Sequence, residues 1–420
     1  MGSKRLDLLF VSQWTPSPAS IGAQRRVEGL LKALSGRHRV ACVSLLNPGI
    51  DRSVAERAIG AYCEELALVP ARKEPLLTKR ALQIRVLASS RSFEHYLAAY
   101  PPLRRALETA LLRRRFDAVV VEDPYLMQLG VRRAPPGQPL PRVVLDEHNI
   151  WYDLARQSRE ASAGLFRRTY HTHNWPRIKR EELAAWRAAD GVAFTSADDG
   201  ARARALLPLL RSVVVPNAVD VDYFRPRADI PSDGRTIVFF GTLNYFPNQD
   251  AMQFFLGDIW PIVAQANTAA KLKVIGPKPT PEVLAHQGPR IEVAGLVDDL
   301  RPHLAAAACI VAPLRVGGGT RFKILEAMAM GKPVVSTTLG AEGIGAGHGQ
   351  EIVIADEPAA FAAAVLGLLG DPAQASQLGA AARRFVEERF SWESAAGNLE
   401  RFLLELVDGS SAGQVAHGAA

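Results

Sequence analysis

Short runs that are apolar at consecutive positions, each closed by polar residues, narrow the fold of this chain more than any other feature. RLDLLFVSQW, RVACVSLL, FDAVVVED, PRVVLDEHN and GVAFTSADD recur through the first half. A strand with one wet face alternates between apolar and polar side chains. A run apolar at every position needs cover on both faces, as in a central strand of a parallel sheet. Segments of helical periodicity lie between the runs, QRRVEGLLKAL after the first and EELAAWRAAD before the fifth. Strand and helix in alternation predict a doubly wound α/β domain, whose ligands bind beyond the carboxyl ends of its strands. The residues of interest therefore follow the runs: the loop around Gly22, Glu122 with Asp123, and Glu147-His148-Asn149.

The pattern then breaks and restarts. SVVVPNAVDVDYFRP passes from a strand into a Pro-, Asn- and Asp-rich connection, and PRADIPSDGR has the composition of a linker. TIVFFGTL, LKVIGP, IEVAGLV, CIVAPL and PVVSTT follow, with AMQFFLGDIWPIVAQ and LRPHLAAA as helical segments between them. A chain of 420 residues exceeds what one core commonly serves. We expect an N-terminal domain over 1–215, a second α/β domain over 216–390, a last helix over 391–408 returning to the first domain, and a disordered small-residue tail over 409–420. A cleft between the two sets of strand ends is the default place for a ligand.

Composition excludes several classes. Cys42, Cys63 and Cys309 are far apart and form no CxxC pair, which suits a reducing compartment and neither a disulfide framework nor a zinc site. No apolar run reaches the length of a membrane span, Asp7 and Gln13 interrupt LDLLFVSQW as a signal segment, and Leu6 breaks the myristoylation pattern after Gly2. The expectation is a cytoplasmic chain. The net charge of +7 is uneven. Lys73, Lys79, Arg80, Arg85, Arg91, Arg104, Arg105, Arg113 and Arg114 crowd one stretch, and Arg156, Arg159, Arg167, Arg168, Arg177, Lys179 and Arg180 another. A solvated surface accounts for such runs, and so does peripheral attraction to an anionic membrane face or an anionic acceptor. Nucleic acid does not fit, because interleaved aromatics and a helix-turn-helix pattern are missing from both.

The richest stretch is RVGGGTRFKILEAMAMGKPVV, residues 315–335. It fails as a Walker loop, since Lys323 is flanked by Phe322 and Ile324, and as a dinucleotide fingerprint, since Phe322 occupies the third small position. Thr320 is a good N-cap for a helix RFKILEAMAM that Gly331 and Pro333 stop. The three glycines then precede a helix N-terminus, where free N–H groups favour an anion. Arg321 and Lys323 fall in the first turn, where a cation is disfavoured by about 0.3–1 kcal/mol, and a phosphate would answer that conflict. Lys323 and Glu326 share a face, so the cluster offers charge for a diphosphate and a carboxylate for a ribose diol. The plainer reading is a glycine turn with a Lys323–Glu326 surface pair.

GGGTRFKILEAMAMGKPVVSTTLGAEGI resembles the donor-site motif of retaining glycosyltransferases of family 4. VVVPNAVDVDYFRP is similar to that family's interdomain PNGVD segment, VFFGTL to the glycine turn opening its nucleotide domain, IEVAGLVDDLRPHLAAAACIVAPL to its nucleobase side, and PSPASIGAQRRVEGLLKALSGRHRV to its first loop and helix. The resemblance implies the GT-B fold, two Rossmann-like parallel-sheet domains facing a central cleft. It also implies retaining transfer from a nucleotide-diphosphate sugar to a saccharide, lipid-linked or small-molecule acceptor, with front-face attack and no metal or other cofactor. By the same resemblance His148, Arg321, Lys323 and Glu326 carry the chemistry. Gly22, Gly241, Thr242, Val297, Gly318, Gly319, Thr320 and Leu325 bind the donor, while Arg25, Glu122 and Asp123 lie on the acceptor side. His171 and His173 decorate a surface. In two places the chain departs from the pattern. Gly318 stands where the family has the first of two glutamates, and GTLNYFPNQDA lacks the Arg and Lys usual after the first glycine turn, a charge Arg321 and Lys323 would supply. The missing glutamate keeps open a catalytically weak nucleotide-sugar-binding scaffold subunit, and the fold also hosts nucleotide-sugar epimerases.

Overall fold

The buried runs become parallel strands. A computed structural model describes residues 4–17, 22–72, 82, 85–86, 89–160 and 165–415. Ile21, Lys73, Lys79, Arg80 and the tail beyond 415 lie outside them, as do the side chains of Arg159, Arg167, Arg168 and His171. The chain divides into two compact units, Met1–Pro216 with Trp392–Ala420, and Asn217–Ser391.

In the first unit the strands are β1 (Asp7–Ser12), β2 (Arg39–Leu46), β3 (Glu65–Pro70), β4 (Ala118–Val121), β5 (Arg142–Glu147), β6 (Gly191–Phe194) and β7 (Ser212–Val214). They form one sheet in the order β3-β2-β1-β4-β5-β6-β7, every pair parallel. Every residue of β4 and β6 is buried, as their unbroken apolar runs require. The helix Pro101–Arg113 covers one face with Leu103, Leu107 and Leu111, spaced one turn apart and all buried. β3 is a strand the apolar pattern does not reveal: it lies at the sheet edge, and only two residues of ELALVP are fully buried.

The last helix, Trp392–Val415, belongs to this unit and buries Leu399, Leu403 and Leu406. Two glycines receive its rings. A Cβ at Gly29 would lie 2.2 Å from the Trp392 ring, and one at Gly191 would lie 2.3 Å from Phe402. The helix runs past 408 into the segment expected to be disordered, because DGSSAG lowers helix propensity without a proline to end the helix.

In the second unit the strands are β8 (Thr236–Phe240), β9 (Lys271–Ile275), β10 (Ile291–Gly295), β11 (Cys309–Ala312), β12 (Val334–Ser336) and β13 (Val353–Ile354), in the order β10-β9-β8-β11-β12-β13, again all parallel. The helix Phe322–Ala329 buries Ile324, Leu325, Ala327, Met328 and Ala329 and ends at Gly331, whose φ is +67°. Gly331 N–H donates to Met328 O at 2.9 Å and Lys332 N–H to Ala327 O at 3.0 Å, the paired bonds of a glycine-stopped helix. In each sheet the strand order reverses at one point, between β1 and β4 and between β8 and β11. Those two switch points are where a doubly wound sheet leaves a crevice.

Candidate functional site

In the second unit the crevice is built by backbone before side chains enter it. Gly241 follows β8 with φ +143°, and Gly276 follows β9 with φ +153°. A Cβ on Gly276 would stand 1.8 Å from the Gly241 carbonyl oxygen, so the two turns pass backbone against backbone. Beside the Gly241 turn lies Lys323 Nζ, 3.1 Å from where a Gly241 Cβ would be. The ammonium donates to Asn248 Oδ1 at 2.7 Å and lies 4.3 Å from the centre of the Phe239 ring. Burial, helped by the nearby Arg321 charge, pulls Lys323 down to about 7. The cation that GTLNYFPNQDA lacks is thus delivered to that turn from another helix.

The glycine loop differs from the expectation at two residues, Thr320 and Arg321. Arg321, not Thr320, is the N-cap of Phe322–Ala329, and it caps with no side-chain bond. Thr320 is buried and its carbonyl accepts from Asn217 Nδ2 at 2.9 Å, so the PNAVD segment fastens the loop from below. The Arg321 guanidinium folds back onto the carbonyls of Gly318 and Gly319, with Leu339 O at 3.4 Å. Its charge therefore serves the loop's own carbonyls, which relieves the helix-end conflict without an external anion. Gly317 (φ +135°) and Gly319 (φ +70°) both need the left-handed freedom of glycine.

Of the other expected donor residues, Thr242 lies at the same turn, its carbonyl accepting from Asn248 Nδ2 at 2.9 Å. Val297 lies two residues past β10, half-buried against the second unit's core. The Leu325 side chain is fully buried in the core, as a helix face packed on the sheet demands, so only its backbone is available to a ligand. Glu326 is 3% exposed, which rules out the surface pair with Lys323.

In the first unit the switch point holds a buried charged cluster. Arg26, inside the apolar face of the helix Gly22–Ser35, donates from Nε to Asp146 Oδ2 at 2.8 Å and from Nη2 to Asp146 Oδ1 at 2.5 Å. His148 Nε2 lies 2.5 Å from Glu122 Oε2 and 3.5 Å from Asp146 Oδ2. Burial would lower the imidazole, but the Glu122 and Asp146 carboxylates outweigh it and hold His148 up at about 9. Burial and the Asp146 charge push Glu122 up to about 7. Burial would raise Asp146 too, yet Arg26 and His148 keep it below the usual carboxylate range. The two carboxylates thus favour the imidazolium form of His148, which donates hydrogen bonds. Asp123 is a turn residue: it accepts from Tyr125 N–H at 2.8 Å and from Gln13 Nε2 at 2.7 Å, and burial lifts it to about 7.

Gly22 opens the helix, and Arg25 is half-buried on it; the neighbouring Arg26 is the arginine that enters the cluster. Glu147 accepts from Trp186 Nε1 at 2.7 Å, while Glu182 holds the Trp151 and Tyr152 N–H groups at 2.6 and 2.9 Å. His173 is exposed. Among the described residues, Glu122, Asp146 and His148 are the group whose donor atoms converge, within 4.8 Å, as a metal would need. Arg26 already supplies the cation beside Asp146.

Arg26, Asp146 and Asn248 were not anticipated. An arginine among Val27, Leu30 and Leu31, and an aspartate inside VVLDE, are ionisable groups in buried patterns and were the available signal. Asn248 gave none, because a neutral amide after a proline reads as a helix start.

Residues 234–371 match the family described as glycosyl transferases group 1. An uncharacterized 44.6 kDa protein in the cps region of Klebsiella pneumoniae is 23% identical over 398 residues, 91% of this chain and 96% of the relative. A GDP-mannose-dependent alpha-(1-6)-phosphatidylinositol monomannoside mannosyltransferase of Mycobacterium tuberculosis is 28% identical over 303 residues, 62% of this chain and 78% of the relative. Among solved structures, a sucrose-phosphate synthase from Thermosynechococcus elongatus superposes with TM-score 0.72 at 18% identity, covering 96% of this chain and 100% of its own. Anabaena HepE in complex with UDP and glucose gives 0.65 at 15% identity, covering 95% and 99%. The chain has the GT-B fold of these glycosyltransferase structures, and its residues 234–371 match the glycosyl transferases group 1 model.

Proposed function

We propose that this chain is a retaining glycosyltransferase that moves a sugar from a nucleotide-diphosphate donor to a hydroxyl of a saccharide, lipid-linked or small-molecule acceptor in bacterial glycan assembly. The observation that carries the reading is Lys323, held 2.7 Å from Asn248 at the Gly241 turn, on the switch point of the second sheet. When the anomeric carbon parts from its diphosphate, negative charge grows on the leaving oxygen. An ammonium and backbone N–H groups aimed there lower the barrier, and losing one such donor costs about 3–4 kcal/mol. Front-face transfer lets the leaving phosphate take the acceptor proton, so neither a carboxylate pair nor a metal enters this scheme. Glu326 accepts the ribose hydroxyls. His148, its Nε2 engaged by Glu122, would offer its Nδ1–H to a sugar hydroxyl. The GDP-mannose-dependent relative and the UDP complex of HepE agree with a nucleotide sugar. The exposed arginines Arg104, Arg105 and Arg113 suit peripheral contact with an anionic membrane face in the cytoplasm, and no described helix is long and apolar enough to cross a membrane.

A thermal-shift series with UDP, GDP and ADP sugars tests this. Stabilisation by one of them, lost in Glu326→Ala, is expected. No stabilisation by any would overturn the reading. Gly318 in place of a glutamate favours a second reading, a nucleotide-sugar-binding scaffold subunit. It predicts binding without turnover across lipid-linked and soluble acceptors followed by mass spectrometry.

A further inference from the structure

A lysine on a four-carbon stem is a useful phosphate ligand only if something stops it wandering, since its free side chain carries about 2 kcal/mol of rotamer entropy. Asn248, 6% exposed on the helix Phe246–Phe254, is placed to do that. Its two ends have different partners: Nδ2 donates to Thr242 O at 2.9 Å, and Oδ1 accepts from Lys323 Nζ at 2.7 Å. A carbonyl can only accept and an ammonium can only donate, so the amide has one permissible orientation. The Phe239 ring 4.3 Å from Nζ closes another side. Glycine at 241 is what admits the arrangement, because a Cβ there would lie 3.0 Å from Asn248 Nδ2 and 3.1 Å from Lys323 Nζ. Charged groups on the surrounding elements are Arg321 on the glycine loop, Asp250 paired with Arg315 at 2.8 Å, and Glu326 one turn along Lys323's own helix.

We propose that Asn248 is a positioning residue for the donor diphosphate: it fixes the Lys323 ammonium beside the Gly241 turn while leaving its charge unspent. An aspartate would hold the lysine equally well but neutralise it, and an alanine would release it. The choice of amide over carboxylate is what a site for an anion requires. This inference rests on the donor-site reading above and adds to it a residue and a reason for its chemical type.

The test is calorimetric binding of UDP-glucose and GDP-mannose to the full chain between about pH 6.5 and 9, for the wild type, Asn248→Ala, Asn248→Asp, Lys323→Met and Asn248→Ala/Lys323→Met. The diphosphate of neither probe titrates in that window. For whichever probe the wild type binds, affinity should fall as pH rises, because Lys323, at about 7 in the free protein, must take up a proton. Asn248→Ala should bind about tenfold more weakly, the scale of one hydrogen bond to a charged group. Asn248→Asp should also bind more weakly, with a flattened pH profile, since its carboxylate keeps the lysine protonated. A fold defect would weaken binding without flattening the profile, so the profile separates positioning from stability. In the Lys323→Met background, Asn248→Ala should change affinity less than about twofold. Wild-type affinity in both Asn248 variants, with binding lost in Lys323→Met, would overturn the role of Asn248 and leave the donor site standing. Failure of the wild type to bind any nucleotide sugar would instead remove the functional reading beneath it.

Discussion

Replacing Arg26 by methionine removes one cation from the buried cluster and keeps most of the stem's volume. The pair it breaks is bidentate, at 2.8 and 2.5 Å, with side chains 1% and 0% exposed. Breaking a buried ion pair from one side costs about 3–5 kcal/mol, because the surviving charge has neither water nor partner. Here the survivor, Asp146, keeps only His148 at 3.5 Å, which Glu122 already engages at 2.5 Å, so the expected loss is about 4 kcal/mol. At about 2–4 °C per kcal/mol for a unit of this size, the melting temperature should drop by about 8–16 °C. The pH dependence has a definite sign. In the wild type Asp146 lies below its ordinary value, so its contribution is present above that value and lost as pH falls. Without Arg26, burial opposes the Asp146 charge with only His148 to offset it, so Asp146 shifts upward, and the penalty should be smaller near pH 5 than near pH 8. Five of the six tryptophans (Trp14, Trp151, Trp175, Trp186 and Trp392) belong to the first unit, so fluorescence-detected urea melts report on it. Arg26→Met/Asp146→Leu should regain most of the loss, since apolar replacement of both partners removes the stranded charge. A single-variant penalty below about 1 kcal/mol, or one indifferent to pH, would refute the reasoning.

Three more outcomes follow from the same geometry. Side-chain NMR should show His148 titrating near 9, and Glu122→Gln should bring it down towards the ordinary value of about 6.5; an unmoved titration would mean Glu122 is not the group that charges it. Because His148 is raised, its contribution is full below about 6.5 and is lost as pH climbs through 9, so urea midpoints should decline across that window in the wild type and less in His148→Gln. Gly191→Ala should destabilise the first unit by about 1–3 kcal/mol through collision with Phe402, and Phe402→Leu should restore part of it; additive losses in the double variant would show that the ring is not the obstacle.

The sequence made the sheets legible because parallel strands are buried on both faces and leave unbroken apolar runs, as RVACVSLL and FDAVVVED do. ELALVP escaped because an edge strand has no such obligation, and β13 because two residues carry no pattern. The glycine loop, its helix and its stop could be read from residue types, yet the cap could not. Thr320 is the better N-cap by propensity, but its carbonyl is held by Asn217, and the helix starts one residue later. Burial decided Leu325, Asp123 and Glu326, and which side of a helix faces its sheet depends on contacts distant in sequence. The Arg26–Asp146 pair spans 120 positions and Lys323–Asn248 spans 75, beyond the reach of any local pattern.

The discontinuity of the first unit has a consequence for how the protein is made. Met1–Pro216 leaves the ribosome before Asn217–Ser391 is translated, and Trp392 comes only after that. At about 5–20 residues per second the interval is about 10–35 s. Through it the surfaces around Gly29 and Gly191 wait uncovered for Trp392 and Phe402, an apolar face exposed in a crowded cell. The nascent first unit should therefore depend on chaperones for that interval, while the second unit, continuous in the chain, can close as soon as it emerges. A permuted chain translated with Trp392–Val415 first would shorten the wait and lessen the dependence.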